Sequence, residues 1–377
     1  MTTDDGNQHE KLRQDPRILL LRDEYLDLCR HNGLEAPSFE QYADARRMTM
    51  GLRDSDAPEV KTTYAQTAVE AMDSFEMPKE HRLPFEIHPR LSIGYGARVA
   101  GYAEAIGESL FEEGFEFGQA VYIDEMRIDS FNGQAARSER VPDGYFCFLN
   151  HGMFRLLHHL TLASSLITEP ELEVHVDKPY EVFPELKRIA AIIAKKTMEA
   201  YLSGQQHPLI GSGQFQLSAN GLGLANIKSF AMKTFVVAHE LAHVRLGHLE
   251  KLAAFVSAEE RWQMEFEADE LAQQSLIRAV EARRARAEIL GGGIAFLFCD
   301  QIRRNVASDM KGIRRASLDR NSTHPPPLQR IMRLDDLLKE YFSAGSGPDR
   351  QCLTPVWNIQ AMTIEMDRLA GVDFQSG

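Results

Sequence analysis

TFVVAHELAHVRLGHLE, residues 234–250, is the stretch on which the reading of this chain turns. It lies within a region read as helical from Lys228 to about Arg286, with breaks near Gly247 and Ser257. His239 and His243 stand four apart, with Glu240 next to the first. Residues four apart on a helix share a face, one turn from each other. Two imidazoles at that spacing can converge on one tetrahedral ion, with metal–nitrogen bonds near roughly 2.0–2.1 Å. Glu240 is then positioned to take a proton from water on such an ion. The bland alternative is a satisfied core histidine beside a surface one, so a further ligand has to be sought elsewhere.

A catalytic zinc uses three protein ligands and keeps one position open. The metzincin pattern would require glycine at 246 and histidine at 249, and the chain has Leu246 and Leu249. His248 lies five residues past His243, about 140° round a helix, and points away unless Gly247 ends the helix. RWQMEFEADELAQQSL (261–276) offers a better candidate, because Glu265 and Asp269 are again four apart. Glu265 can reach the ion while Asp269 accepts an N–H from a ligating imidazole and so fixes its tautomer. Glu267, beside the small Ala268, competes for the ligand role. For the acidic run taken alone, a solvated helix face is the simpler reading.

His239–His243 followed by Glu265-Phe266-Glu267-Ala268-Asp269 resembles the H-E-x-x-H … E-x-x-A-D signature of gluzincin metallopeptidases. The nearest type is the CAAX prenyl endopeptidases with their soluble and bacterial heat-shock relatives. His324-Pro325-Pro326-Pro327-Leu328-Gln329-Arg330-Ile331 is similar to the H-P-x-x-x-x-R-I segment that comes after the ligands there. The resemblance implies that His324 and Arg330 reach back to the cleft and help polarise or hold the scissile carbonyl. Residues 131–135 (FNGQA) and 144–148 (GYFCF) look like the strand pair that precedes the zinc helix. The likeness covers about residues 128–340 and has departures. The membrane-embedded members carry spanning helices, only 21 residues separate His243 from Glu265, and residues 153–233 intervene before the zinc motif. A short spacing and a soluble body look more like the Lit-type phage-exclusion peptidases or the ImmA/IrrE-type regulators, and the His-Pro-Pro segment favours the Lit-like group.

Composition bounds the remaining classes. With 377 residues, one large or two modest domains are expected. Lys and Arg number 42 against 55 Asp and Glu, a net charge of −13, which argues against a nucleic-acid partner because that affinity rests on cationic side chains. No apolar run approaches 18 residues, so no membrane span is expected. The start, MTTDDGNQHEKLRQD, shows no secretory signal, and Cys29, Cys147, Cys299 and Cys352 form no C-x-x-C pair. A cytoplasmic protein is the expectation.

The chain is expected to be α+β: a mostly helical, zincin-like catalytic domain over 86–342, with a small antiparallel sheet beside the H-E-x-x-H helix. A helical N-terminal region (1–85) precedes it and a C-terminal segment (343–377) comes after it. Helices are read at 15–31, 38–51, 62–75, 96–112, 153–167, 184–202 and 328–342, strands at 119–131 and 144–152, and loop with one short strand at 205–227. Within that loop, GQFQLSANG (213–221) is read either as an edge strand that receives a peptide or as a surface hairpin. Gly291-Gly292-Gly293 is read as a helix end that lets the next helix pack closely.

The expected function is a zinc-dependent endopeptidase acting on a protein or peptide, with Zn²⁺ on His239, His243 and Glu265 and with Glu240 as general base. Asp269 orients a ligand, and His324 with Arg330 stabilises the oxyanion. The rivals are a zinc-stabilised regulatory module acting by binding and a metal-dependent amidase on small molecules. A protease in the cytosol needs restraint, so a regulatory partner, a trigger or the N-terminal 85 residues covering the cleft is expected to control it.

Overall fold

Leu21, Tyr25 and Cys29 stand four apart and so line one face of a helix, α1 (Pro16–His31). That face meets the aromatic face of a three-stranded sheet, with Tyr122, Met126, Phe146 and Phe148 completing a small core. The computed structural model describes residues 16–31, 33–34, 120–126, 128, 130–168, 179–204, 217, 219–252, 256–282, 285–313, 322, 324–344, 348 and 350–370. The chain divides into two units, Met1–His151 and Gly152–Gly377. The helices expected near 38–51, 62–75 and 96–112, and the boundary near residue 85, lie outside the described residues.

The sheet belongs to the first unit. Its strands are β1 (Ala120–Met126), β2 (Gly133–Arg137) and β3 (Gly144–Asn150), in the order β1-β3-β2. β2 and β3 form an antiparallel hairpin with Gly133 opposite Leu149, while β1 runs parallel to β3 with Ala120 opposite Gly144. The sheet is therefore mixed, not antiparallel as expected. β3 sits in the middle and is buried along its whole length, so its aromatic and aliphatic run shows no alternation. Gly33, with φ 65°, follows the end of α1, where the helix read at 15–31 is expected to stop.

The second unit is helical: α2 (His151–Ser165, entered from the first unit), α3 (Pro179–Leu202), α4 (Ala219–Arg245), the short α5 (His248–Leu252), α6 (Ala258–Glu281), α7 (Gly292–Lys311), α8 (Pro327–Ser343) and α9 (Thr354–Leu369). Residues 219–227, expected as loop, form the first turns of α4. The two glycines there predicted a break, yet Gly221 and Ala225 are buried, and tertiary packing outweighs their weak helix propensity. Of the segment 213–221, residues 219–221 are thus helical and Leu217 belongs to no strand. The other residues of that segment are not described.

α4 is buried on every side from Ala231 to Val244, the behaviour of a central helix. It packs against α6 and α7, and α7 in turn packs against α3, α8 and α9. The triple glycine makes the α4–α7 contact possible. A Cβ on Gly292 would lie 2.2 Å from the Ala231 carbonyl oxygen, and one on Gly293 would lie 2.6 Å from the Phe235 ring.

α4 also buries Lys228, 1 % exposed. Its amine donates to the hydroxyls of Ser164 and Ser165 at 3.2 Å each, and both hydroxyls donate onward to the Thr161 carbonyl. Two acceptors suit the two N–H groups of a neutral amine, and burial pushes the Lys228 pKa down to about 7.

Two measurements test this packing. Gly292→Ala should cost about 2–3 kcal/mol in urea unfolding, because the clash is with backbone, while Gly312→Ala, at φ 60° in open space, should cost about 1–2 kcal/mol. For Lys228 the folded pKa lies below the unfolded value, so the unfolded chain binds more protons between about 7 and 10. Stability should therefore rise with pH across that window by a few kcal/mol, and Lys228→Met should abolish the slope.

Candidate active site

Three helices and one extended lead-in build the site. α4 supplies His239, Glu240 and His243, 7–8 % exposed each. After Arg245 the chain turns at Gly247, whose φ of 63° brings His248 back toward the helix it has just left. α6 opens on a capping box, with the Ser257 side chain accepting from the Glu260 amide and Glu260 reaching back to the Ser257 amide. Two turns on, α6 presents Glu265, Glu267 and Asp269. α8 begins at Pro327, a favoured first helical residue, and supplies Arg330; His324 lies on the extended approach. That approach is tethered from two helices. Trp262 of α6 donates to the Ser322 carbonyl at 3.3 Å, and Arg304 of α7 donates to the Ser322 hydroxyl at 3.3 Å and the Pro325 carbonyl at 3.4 Å.

His239 Nε2 lies 3.1 Å from His243 Nε2 and 3.4 Å from Glu265 Oε2, and His243 Nε2 lies 3.6 Å from Glu265 Oε1. Zinc bonds of roughly 2.0–2.1 Å at tetrahedral angles put donor atoms about 3.3 Å apart. The three side chains therefore present their donor atoms at the spacing of one coordination sphere. Glu265 Oε2 is buried and has no hydrogen-bond partner among the described residues, which a cation would supply. Chemistry and spacing both fit a divalent ion.

The carboxylates are compensated from behind. Asp269 Oδ1 lies 3.0 Å from His239 Nδ1, on the far side of that ring from the donor cluster. Arg330 grips Asp269 through Nε at 2.6 Å and Nη2 at 2.7 Å, and its Nη2 lies 3.8 Å from Glu265. His324 Nε2 is 3.5 Å from Glu265 Oε1, with its side chain 44 % exposed. The expectation that Arg330 holds a carbonyl oxygen has to meet this fork: the guanidinium faces the buried carboxylates.

Electrostatics follow from the crowding. Burial opposes charge on every group, yet Asp269 and Glu265 overcome it at His239 and raise its pKa to about 10 without an ion present. Burial and the His239 charge push His243 down to about 3. Glu265 is held well below the usual carboxylate range by His239, with His324 and Arg330 helping, despite its burial. Two ionised carboxylates beside one guanidinium leave a net negative charge that calls for a cation, and a proton on His239 fills that role when no metal does.

His248 and Glu267 complete the cluster. His248 is fully buried, with Nδ1 2.9 Å from His243 Nδ1 and Nε2 3.2 Å from Glu267 Oε2. Glu267, the competitor for the ligand role, thus faces His248 and not the donor cluster. Gly247 carries the signal that locates His248, since a glycine two residues past the last helical turn ends the helix and redirects the residues after it.

Residues 191–341 match the Peptidase U49 family. This is a Lit-like peptidase family, and the matched span runs from α3 to near the end of α8, so it contains every residue of the site. Over that span the chain is similar to peptidases. No curated protein and no solved structure shows a significant match. Among the described residues, no helix is long and apolar enough to cross a membrane.

The Arg330–Asp269 pair gives a test independent of any metal. Arg330→Met should lower the unfolding free energy by about 3–5 kcal/mol, because it strands a buried carboxylate. The Asp269 pKa is depressed, so its contribution is present above the unfolded value of about 3.9 and lost as pH falls through the folded one. Urea titrations at pH 7 and below 4 should show the wild type losing that margin in acid and Arg330→Met having none to lose.

Proposed function

We propose that this protein is a zinc-dependent endopeptidase, with His239, His243 and Glu265 holding the ion. The observation that carries the reading is the convergence of those three donor atoms within 3.1–3.6 Å, next to the buried Glu240. The similarity of residues 191–341 to a peptidase family supports the hydrolytic assignment. When bound, zinc polarises the scissile carbonyl and brings the pKa of a water toward roughly 7.

The chain's own side chains do the rest. Glu240 takes the water proton and passes it to the departing amine, the task of a carboxylate beside the reacting centre. His324, with 44 % of its side chain exposed, has the access to meet a substrate, and it stabilises the oxyanion, a contribution of about 3–4 kcal/mol for one donor. Arg330 acts through Asp269: it anchors the carboxylate that orients His239 and fixes its tautomer. A purely structural zinc site would be closed by four protein ligands and would need no Glu240.

Glu240→Gln should retain one zinc per chain and the wild-type unfolding midpoint while slowing cleavage by about 10²–10⁴-fold. His239→Ala should lose the metal. Metal analysis of the three proteins, followed by comparative proteomics of cells expressing wild type and Glu240→Gln, checks this. Identical proteomes from a zinc-loaded wild type and the Glu240→Gln variant would favour the binding-module alternative.

A further inference from the structure

Behind His243 lies a chain of hydrogen-bonding groups that the reaction itself does not use: His248, Glu267 and Gln263. His248 Nδ1 is 2.9 Å from His243 Nδ1, and its Nε2 is 3.2 Å from Glu267 Oε2. The other Glu267 oxygen accepts from the Gln263 amide at 3.1 Å. His248 is wholly buried, and the Glu267 side chain is 39 % exposed, so the chain runs from the surface to the site.

The direction of these hydrogen bonds is set from the surface inward. An ionised carboxylate only accepts, so His248 must carry its proton on Nε2. The two Nδ1 atoms, 2.9 Å apart, share one hydrogen-bonding proton, and His243 Nε2 can take a metal only if that proton sits on His243, so His248 Nδ1 is the acceptor. His243 must then carry its proton on Nδ1 and donate it to His248. Its Nε2, on the opposite side of the ring, is left with a free lone pair aimed at His239 and Glu265. The reverse order would put a proton on His243 Nε2 and block a metal there. Nor can His248 ligate the same ion, because it faces the nitrogen of His243 that points away from the donor cluster.

We propose that Glu267, acting through His248, is the positioning device that fixes the tautomer and orientation of His243 for metal binding. The proposal rests on reading His239, His243 and Glu265 as ligands. It makes the two ligating histidines unequal in support: His239 is backed directly by Asp269, His243 through an intervening imidazole. The Gly247 turn, which returns His248 to the site, thereby becomes part of the metal centre.

The test compares zinc affinity, by competition with a chromophoric chelator, and the visible spectrum of the cobalt-loaded protein. The full-length chains used are wild type, His239→Ala, His248→Ala, Glu267→Gln and the double variant of the last two. Glu267→Gln keeps the shape but loses the obligatory acceptor. Zinc binding should weaken roughly 10- to 100-fold in His248→Ala, and measurably in Glu267→Gln, with altered cobalt bands in both. The double variant should be no weaker than His248→Ala, because the two act in series. A wild type that binds zinc only as tightly as the two variants do would overturn the positioning role alone. A wild type that binds no more zinc than His239→Ala would overturn the ligand assignment and this inference with it. Should His248→Ala fail to fold, the partly exposed Glu267→Gln decides by itself.

Discussion

Two carboxylates pressed against two imidazoles inside a helical core are the constraint around which the second unit is organised. Glu265 and Asp269 reach α4 from α6, and neither position tolerates an uncompensated charge. Arg330 of α8 answers one of them with a two-nitrogen fork, and the proposed cation between His239, His243 and Glu265 would answer the other. The site therefore exists only when α4, α6 and α8 are docked together. Folding and site assembly are one event for this part of the chain.

The same docking explains why α4 is mostly apolar all round. A helix buried from Ala231 to Val244 has no solvated face on which to put polar groups, so its longer polar side chains turn to partners on other helices, while Thr234 bonds the Phe230 carbonyl of its own helix. His239 finds Asp269, His243 finds His248, and Lys228 finds Ser164 and Ser165. The close approach of α7 at Gly292 and Gly293 fixes α4 in depth.

Much of this was legible from residue spacing. Four-residue intervals put His239 with His243 and Glu265 with Asp269, and the breaks at Gly247 and Ser257 are where the helices end. The packing glycines at 291–293 follow from local chemistry, and the break read near Ser257 is a capping box in the structure. Features that depend on distant partners were the ones that failed. Gly221 and Gly223 suggested a loop, because propensity is local and the burial that overrides it is not. The parallel pairing of β1 could not be told from a hairpin, since the same residues suit either ladder. Arg330 was expected to help hold a carbonyl oxygen, and its contact with Asp269 depends on the docking of two distant helices that its sequence position does not reveal. His248 is read in the sequence as pointing away unless Gly247 ends the helix, and the helix does end there, which turns His248 toward His243 without making it a ligand.

Exposure divides the polar cluster by depth, and the depth matches the rigidity of each support. Asp269 and Arg330 are nearly inaccessible, the α4 residues are 7–8 % exposed, and the Glu265 side chain is 12 % exposed. All of these sit on helices packed on more than one side. His324, with 44 % of its side chain exposed, rides instead on an extended lead-in pinned at Ser322 by Trp262 and Arg304. On the proposed reading, the ligand set would need fixed geometry, which close-packed helices provide, whereas a group meeting an incoming chain would need access. A tethered segment with an open side chain meets both needs at once. Arg304 keeps its own charge satisfied by Asp300 at 3.2 Å while bonding the lead-in, so the tether adds no unpaired charge to the core. The open side of the cluster is thus held by polar contacts in place of apolar packing.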